Sequence, residues 1–525
     1  MKKFIFLASL IVLVAATAHG QLYYGVATSN WGGLNALYLN PANIADNRDK
    51  ITIEVLSVNA GVNNNLGTIN TSGGINSFIK RVSNGSGNTA DNIFNYSGRN
   101  TFSLVAPYGE VRGPGFMVNI NHRHSIAVTT RMRVINQFNN FDQSLYHLIT
   151  NPTTVINNGN INLTSKNFNW TAQYWNEIGI SYAIVLLEKG KHQLKAGVTA
   201  RYLGGYGFVS VKGKNLNVGY SSNKDSLYAT NTDLEYSSNI ATANSAFTNG
   251  FSAGNIPGDF FSLKDGHGIG GDIGVVYEYR PDTTKNGYDM DGKHNISDPS
   301  KNRYKLRISA SVMDIGVLTY GSNVTSTANI TGNGYITGNG LSQNVNDYNS
   351  FKNYAIKQGF TVDTGYASRK LHLPTALLLS ADYNVYKWVY VNATFAGNLV
   401  NRQDYGNSIY SQITVTPRYD VRTFSLGIPI TYSMLANDVK VGLGLRYTGF
   451  FIGSDDMLAL AGGKNYGANL YAGGFIPIGN HKPADRDGDH VSDRKDMCPD
   501  VFGTWENKGC PEPDSEHGGK PDTDE

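Results

Sequence analysis

Along most of the chain, apolar residues recur at every second position, in runs separated by polar turns. Between Trp175 and Tyr206, the residues Ile178, Ile180, Tyr182, Ile184 and Leu186 share one parity, and Glu177, Gly179, Ser181 and Ala183 share the other. Past Glu188-Lys189-Gly190-Lys191 the alternation resumes, with Leu194, Ala196, Val198, Ala200 and Tyr202 against Lys195, Gly197, Thr199 and Arg201. Period-two alternation on both sides of a short glycine-containing turn predicts an antiparallel hairpin. Arms of roughly ten residues are long for a globular strand and suit one that crosses a bilayer at a tilt. One face is continuously apolar and the other is small or charged, as a strand between lipid and a polar lumen requires. A large soluble β-sandwich would turn the same apolar face into a core, and this hairpin alone does not separate the two.

The pattern recurs elsewhere. Strands are predicted over 51–61 and over 101–120, the second interrupted by Pro107 and Gly113-Pro114-Gly115, which mark a kink or bulge. After a tight turn at Asn121–His124, Ile126, Val128, Thr130, Met132 and Val134 alternate with Ser125, Ala127, Thr129, Arg131 and Arg133. Further strands are predicted over 268–279 and over 304–312, where Tyr304, Leu306, Ile308, Ala310 and Val312 oppose Lys305, Arg307, Ser309 and Ser311. A hairpin turning near Asn384–Lys387 and strands over 423–432, 439–447 and 466–478 complete the series. The polar stretches 62–100, 137–171, 212–265 and 321–370 read as long loops. Short turns alternating with long loops are the asymmetry of outer-membrane barrels, whereas a sandwich has no reason to gather its long loops at one end. The predicted fold class is all-β, a transmembrane antiparallel β-barrel of about 12–14 strands.

The ends refine this reading. Lys2 and Lys3 precede an apolar run from Phe4 to Ala16, and Ala16-Thr17-Ala18 supplies small residues for cleavage. Residues 1–20 are expected to be a secretory signal peptide. Beyond it no apolar run reaches the eighteen residues of a spanning helix, which leaves a soluble protein or a closed barrel. Composition leans towards the barrel, with 32 Tyr and 22 Phe against 5 Trp, 59 Gly, and only 16% charged residues. Net charge is +3 overall but divides sharply, because 13 acidic and 6 basic residues from His481 to Glu525 give the tail −7. The predicted organisation is therefore a barrel over 21–480 and a small acidic tail over 481–525. No basic cluster points to nucleic acid, and export argues against it.

In the tail, Asp485, Asp487, Asp489, Asp493 and Asp496 stand at positions 1, 3, 5, 9 and 12 of a loop, with the Val491 carbonyl at position 7. Hard calcium ions take six to eight oxygens, and this spacing is similar to an EF-hand loop. Position 6 is His490 where an EF-hand has glycine, position 12 is Asp rather than Glu, and no helix pattern flanks the loop. Asp485-Arg486-Asp487-Gly488-Asp489, Asp493-Arg494-Lys495-Asp496-Met497-Cys498-Pro499 and Gly509-Cys510-Pro511 more closely resemble a thrombospondin type 3 repeat. That resemblance implies bound Ca2+; a solvated acidic linker is the alternative. Such repeats often join a bacterial outer-membrane barrel to an OmpA-like peptidoglycan-binding domain. No such domain follows here, so peptidoglycan binding is not expected. Cys498 and Cys510, the only cysteines of an exported chain, are expected to form a disulfide closing a short loop, which contributes about 3 kcal/mol. Zinc is the alternative, but His481 and His490 are not spaced for it.

Near the start, Leu37-Tyr38-Leu39-Asn40-Pro41-Ala42-Asn43-Ile44-Ala45-Asp46-Asn47-Arg48 is turn-rich, with a bend expected at Asn40-Pro41. The Asn40-Pro41-Ala42 element resembles one near the N-terminus of FadL-like outer-membrane barrels, and more closely the start of a group of uncharacterised Bacteroidota barrels. In FadL-like proteins this segment enters the lumen, so the resemblance implies a plug-like or lumen-lining role. Arg131, Arg133, Lys195, Arg201, Lys305, Arg307, Lys440 and Arg446 fall on predicted lumen positions. They would line an anion-attracting path or be lumen residues paired with acids. No serine, histidine or cysteine spacing marks an enzyme. The Asp289-Met290-Asp291-Gly292 stretch is too short for a calcium site and is expected to shape a connection between strands. Two functions follow as expectations. One is passage of hydrophobic or small solutes across the outer membrane. The other is an envelope scaffold, or an accessory to a secretion or surface-assembly machine. The expected partners are outer-membrane lipid and such envelope proteins, with the tail in the periplasm.

Overall fold

The computed structural model describes residues 22–69, 94–150, 162–221, 226–239, 265–282, 287–298, 301–336, 348–458, 465–479 and 483–512. The expected signal peptide and the last residues of the tail lie outside the described residues. The strands begin with β1 (Asp49–Asn64), β2 (Gly67–Ile69), β3 (Phe94–Tyr96), β4 (Thr101–Arg112), β5 (Gly115–Asn119), β6 (His124–Asp142), β7 (Asn162–Lys189) and β8 (His192–Ser221). There follow β9 (Ser226–Ser238), β10 (Gly266–Tyr279), β11 (Gly287–Met290), β12 (Lys293–Ser297), β13 (Leu306–Tyr320), β14 (Ser326–Ile336), β15 (Phe360–Tyr366), β16 (Arg369–His372) and β17 (Ala376–Tyr386). The series ends with β18 (Val389–Asn398), β19 (Gln412–Asp420), β20 (Phe424–Gly427), β21 (Ile430–Ser433), β22 (Asp438–Val441), β23 (Leu443–Tyr447), β24 (Phe450–Ser454) and β25 (Gly467–Gly479). Helices are few: α1 (Tyr24–Ala27), α2 (Gln143–Thr150) and α3 (Tyr348–Lys357), with 3-10 turns at Gly33–Tyr38 and Pro41–Ile44.

These strands close into an antiparallel barrel of 14 crossings. Four crossings are interrupted, namely β4 with β5, β16 with β17, β20 with β21, and β22 with β23. Closure is made by β25 on β1, in register from Asp49↔Gly479 to Asn63↔Gly467. A closed sheet leaves no backbone edge exposed to hydrocarbon, which an open one would.

Alternation sorts the side chains as the hairpin pattern requires. Ile180 is 64% exposed on the outer face, whereas Ser181 beside it is fully buried. Ile126, Val128, Ile273, Ile308, Ile413, Ile430 and Ile476 are likewise exposed on the outside. Tyrosine–histidine pairs bound this apolar band. On β8 and β10, His192 meets the Tyr277 hydroxyl at 2.7 Å, and ten residues along, Tyr202 meets His267 at 2.9 Å. Ten residues at about 3.3 Å each, tilted about 40°, rise roughly 25 Å, the height of an outer-membrane apolar band.

One end of the barrel carries tight turns, such as Gly190-Lys191 and Lys387-Trp388, and the other carries the larger structures. Among the described residues, three stretches expected as loops are largely regular structure. Beyond the apolar band β7 and β8 continue as a paired ribbon to Asn162↔Gly219, β8 then pairs with β9, β9 with β14, and β14 with β15. A core of Phe102, Phe138, Phe141, Phe168, Ile330 and Phe360, with Ala355 of α3, fills this loop-end extension. The Asn-, Ser- and Thr-rich composition concealed these strands because their polar faces meet water while only alternate residues pack.

Replacing Ile273, which lies about midway between His267 and Tyr277 on the outer face of β10, by Arg is expected to destabilise the barrel by about 2–4 kcal/mol, the cost of a cation on the lipid face. Urea unfolding in lipid bilayers measures it.

Candidate functional site

Residues 22–48 lie inside the barrel. Helix α1 packs on β19, β20, β23 and β24, while the Pro41–Ile44 turn packs on β6, β7, β8 and β10, so the segment spans the lumen between opposite walls. Its chemistry explains how it sits. Asn40 caps the 3-10 turn by accepting from the Ala42 amide at 2.9 Å, with Pro41 at the first helical position, where its missing N–H costs nothing. The Asn40 side-chain amide donates to the Val275 and Ala310 carbonyls, both at 3.0 Å. Gly197 permits the approach, since a Cβ there would lie 2.4 Å from the Ala42 nitrogen. At the other wall, Asp455 accepts from the Tyr24 and Gly25 amides, and Asp420 accepts from the Ser29 hydroxyl and Asn30 amide at 2.7 Å each. Two barrel carboxylates thus satisfy four donors of a segment too irregular to satisfy its own.

A buried ion network fixes the middle of the segment. Arg112 stacks between the rings of Tyr23 and Tyr38, at 4.0 and 3.9 Å from their centroids, and pairs with Glu110 at 2.5 Å. Arg131 reaches Glu177 and Asp314 at 2.7 Å each. Arg133 meets Asp314 at 2.7 Å and also contacts Glu177, and Arg201 joins Asp314 at 2.9 Å and Asp272. A second network at the turn end joins Lys195, Arg280 and Arg307 to Glu278, with Arg280 reaching Asp46 of the lumen segment at 2.7 Å. On the far wall Arg418 pairs with Asp382 at 2.7 Å, and Lys440 with Asp456 at 2.9 Å. Arg446 donates to the Val421, Arg422 and Thr448 carbonyls.

Seven of the eight expected basic lumen residues therefore face inward, where acids or carbonyls neutralise them. Lys305 does not. Its ammonium lies over the ring of Tyr383, an exposed residue at the turn-end rim, while Tyr304 beside it turns inward to donate towards Asp382 and Asn30. Strand β13 begins only at Leu306, so the alternation extrapolated to 304 and 305 falls out of phase. Sequence reading did not single out Arg112, Asp314, Asp420 or Asp455. Only Arg112 and Glu110 carried a usable signal, two charges sharing one strand parity.

Two cavities flank the lumen segment. The larger, about 120 Å3, is apolar on one side, with Leu22, Val105, Ile135, Met313 and Ile409, and charged on the other, where Glu110, Arg112, Arg131, Arg133 and Asp314 of the central network face it. The smaller, about 50 Å3, is polar and touches Ser29, Asn43, Ser309, Ser380, Asn392 and Thr394.

Outside the barrel, the tail over 483–512 docks on the hairpin of β11 and β12, which joins β10 to β13. This hairpin turns on Asp291 and Gly292, both at positive φ, so the 289–292 stretch does shape a connection. The Asp291 carboxylate accepts from the Ser492 amide and hydroxyl at 2.9 Å and pairs with Lys495 at 3.0 Å. Gly292 lies against the Trp505 ring, where a Cβ would clash. Cys498 and Cys510 form the expected disulfide.

Among the expected calcium ligands, Asp485, Asp487 and Asp489 each bring one carboxylate oxygen within 4.8 Å of the others. Oxygens sharing a calcium at 2.3–2.6 Å must lie within about 5 Å of one another, so these three fit the ion. One Asp487 oxygen is buried with no hydrogen-bond partner. Desolvation, together with the neighbouring carboxylates of Asp489, Asp496 and Asp485, pushes its carboxyl above the ordinary range, a repulsion that a divalent cation would relieve. The Val491 backbone is buried in the same loop, and His490 takes the positive φ at position 6. Asp496 accepts from the Cys498 amide at 2.7 Å. Asp493 is turned away, accepting from the Arg486 amide at 3.0 Å.

A family model matches residues 41–455. The chain belongs to DUF5723, a family of unknown function. No curated protein matches this DUF5723 chain. Among solved structures it is similar to the Ralstonia pickettii toluene transporter TbuX, at 10% identity over 85% of this chain and 92% of that one, with a TM-score of 0.34. The Pseudomonas putida toluene transporter TodX gives 9% identity, 87% and 97% coverage, and a TM-score of 0.28. A Pseudomonas aeruginosa FadL homologue gives 10%, 87% and 97%, with a TM-score of 0.27. Likeness at that level decides nothing about function.

Two outcomes follow. Arg112→Ala leaves the buried Glu110 with only Arg131, at 3.5 Å, and the Tyr108 hydroxyl, and removes the stack on Tyr23 and Tyr38. It is expected to cost about 3–5 kcal/mol and to expose the 22–48 segment to protease, whereas Arg112→Lys restores charge but only part of the stack. Burial opposes the Asp291 carboxylate, but the Ser492 amide, Lys495 and the Ser492 hydroxyl outweigh it and hold its pKa below the ordinary value. Docking stability is therefore present above about pH 4 and lost as pH falls through that depressed pKa. Tail proteolysis across pH reads it, and Asp291→Asn should flatten the profile.

Proposed function

We propose that this DUF5723 protein is an outer-membrane barrel through which small, predominantly apolar solutes pass. The observation that carries the reading is a cavity of about 120 Å3 inside a closed barrel, with one apolar side, resting on an internal segment tied to opposite walls. A scaffold has no need of such a space, because its apolar side, left unfilled, destabilises its surroundings. Cavities near 150 Å3 lined by apolar side chains accept a benzene-sized molecule, so the solute is of about that size. The charges beside the cavity are paired with one another, which favours an uncharged ligand over an anion.

The expected signal peptide and the short-turn, long-loop asymmetry support an outer-membrane location with the turn end in the periplasm. On this reading, the tail is periplasmic and Ca2+ held by Asp485, Asp487, Asp489, the Val491 carbonyl and Asp496 stiffens the module docked on Asp291. The chain's own residues do the docking, and the ion would supply only charge neutralisation. A second reading, an envelope scaffold, is favoured by the ordered loop-end extension of β9, β14, β15 and α3.

Thermal unfolding with increasing concentrations of one-ring hydrocarbons separates the two. A cavity ligand at a hundredfold excess over its Kd should add about 2.7 kcal/mol, and Met313→Trp, which fills the cavity, should abolish the gain. Absence of stabilisation by every such ligand would leave the scaffold reading. For the tail, calcium should slow proteolysis of residues 483–512 relative to a chelator, and Asp487→Asn should remove the difference.

A further inference from the structure

The two cavities meet at one residue. Among the described residues, Leu378 of β17 is the one side chain that lines both. Around it Met313, Leu378 and Ala396 form a buried apolar cluster, against which Leu22, Leu39 and Ile409 pack. Leu39, from the lumen segment, borders the polar cavity, while Leu22, Met313, Ala396 and Ile409 border the apolar one. The cluster is therefore a partition between two spaces stacked along a single wall, built from β13, β17 and β18.

Below the partition that wall changes character. Ser309, Ser380, Asn392 and Thr394 line the polar cavity, with Asn392 and Thr394 donating to the Ser380 hydroxyl at 2.9 and 3.0 Å. The strands carry this polar strip towards Asp382 and Arg418, nearer the turn end.

We infer that Leu39 and Leu378 form a side-chain gate on a direct route from the apolar cavity to the turn end along the β13–β17–β18 wall. This inference deepens the transport reading and rests on it for the identity of the solute. The gate opens by rotamer change rather than by expulsion of the lumen segment. The Leu39 backbone is held on both sides: its carbonyl accepts from the Ser311 hydroxyl at 2.7 Å, and Asn40 next to it donates into β10 and β13. Its side chain is only partly buried and packs by dispersion alone, without a polar tie. Rotamer changes need no strand to separate and occur far faster than rearrangement of packed segments.

Thiol labelling tests the route without assuming a ligand. The protein's own two cysteines are joined in a disulfide, so Val105→Cys, on the apolar cavity's opposite wall, is a lone thiol. With the full chain in lipid nanodiscs, a small methanethiosulfonate reagent should label Val105→Cys slowly. Adding Leu39→Ala should raise the rate about tenfold. Adding Ser380→Trp, which fills the polar cavity, should cancel that gain. Leu39 belongs to the internal segment and not to the wall, so its truncation spares the barrel pairing, which retained heat-modifiability on gels confirms. A rate unchanged by Leu39→Ala, or a gain that survives Ser380→Trp, overturns the route. Hydrocarbon stabilisation of the unmodified protein alongside an unchanged rate would sink the gate alone. A gated rate without any hydrocarbon stabilisation would keep the gate and sink the transport reading.

Discussion

Pairing of β25 with β1 over the pairs from Asp49↔Gly479 to Asn63↔Gly467 lets every crossing strand satisfy its backbone inside hydrocarbon. Once the sheet is closed, each strand has a lipid face and a lumen face, and period-two alternation becomes a physical requirement. Every outward Ile or Val then imposes an inward neighbour, which in this chain is often small, hydroxylated or charged and elsewhere an apolar side chain, such as Phe451 or Phe475, packed on the lumen segment. A barrel of fourteen crossings leaves an interior too wide for its own side chains to meet at the centre. The lumen segment fills that space, and the ion networks are the terms on which it does so.

Those networks are better understood as positioning devices than as sources of stability. Buried ion pairs repay little more than their desolvation, yet removing one partner leaves a charge that nothing else can satisfy. Arg112 positions two parts at once, since its guanidinium is shared between Glu110 on the same strand and two tyrosines of the lumen segment. Asp420 and Asp455 hold the segment from the opposite wall through its backbone amides. The segment is therefore fastened at both ends, and the two cavities beside it are defined by a part that does not need to leave. Passage and plugging are compatible on that arrangement, because only the small apolar partition separates the spaces.

The tail follows different rules. It has almost no apolar core and keeps its shape through one disulfide, a run of carboxylates accepting backbone amides, and contact with a barrel hairpin. Docking on Asp291 and Gly292 places the carboxylate cluster against the turn end, where the acidic loop and the barrel hairpin meet at Ser492 and Lys495.

Strand alternation, turn positions, the closed all-β class and the Cys498–Cys510 bond were legible in the residues themselves. Their causes are local: a pleat of period two, glycine at tight turns, and two cysteines twelve positions apart. Inward placement of Arg131, Arg133, Lys195, Arg201, Arg307, Lys440 and Arg446 follows from the same parity, and Lys305 departed from it only where the strand had not begun. The strands of the loop-end extension were hidden, because polar sequence becomes strand there only through pairing with distant partners. Which acid meets which base, where Leu39 meets Leu378, and how the tail finds Asp291 depend mostly on contacts between residues tens to hundreds of positions apart. Those distances are set by closure of the sheet, and no local pattern of hydrophobic and polar residues encodes them.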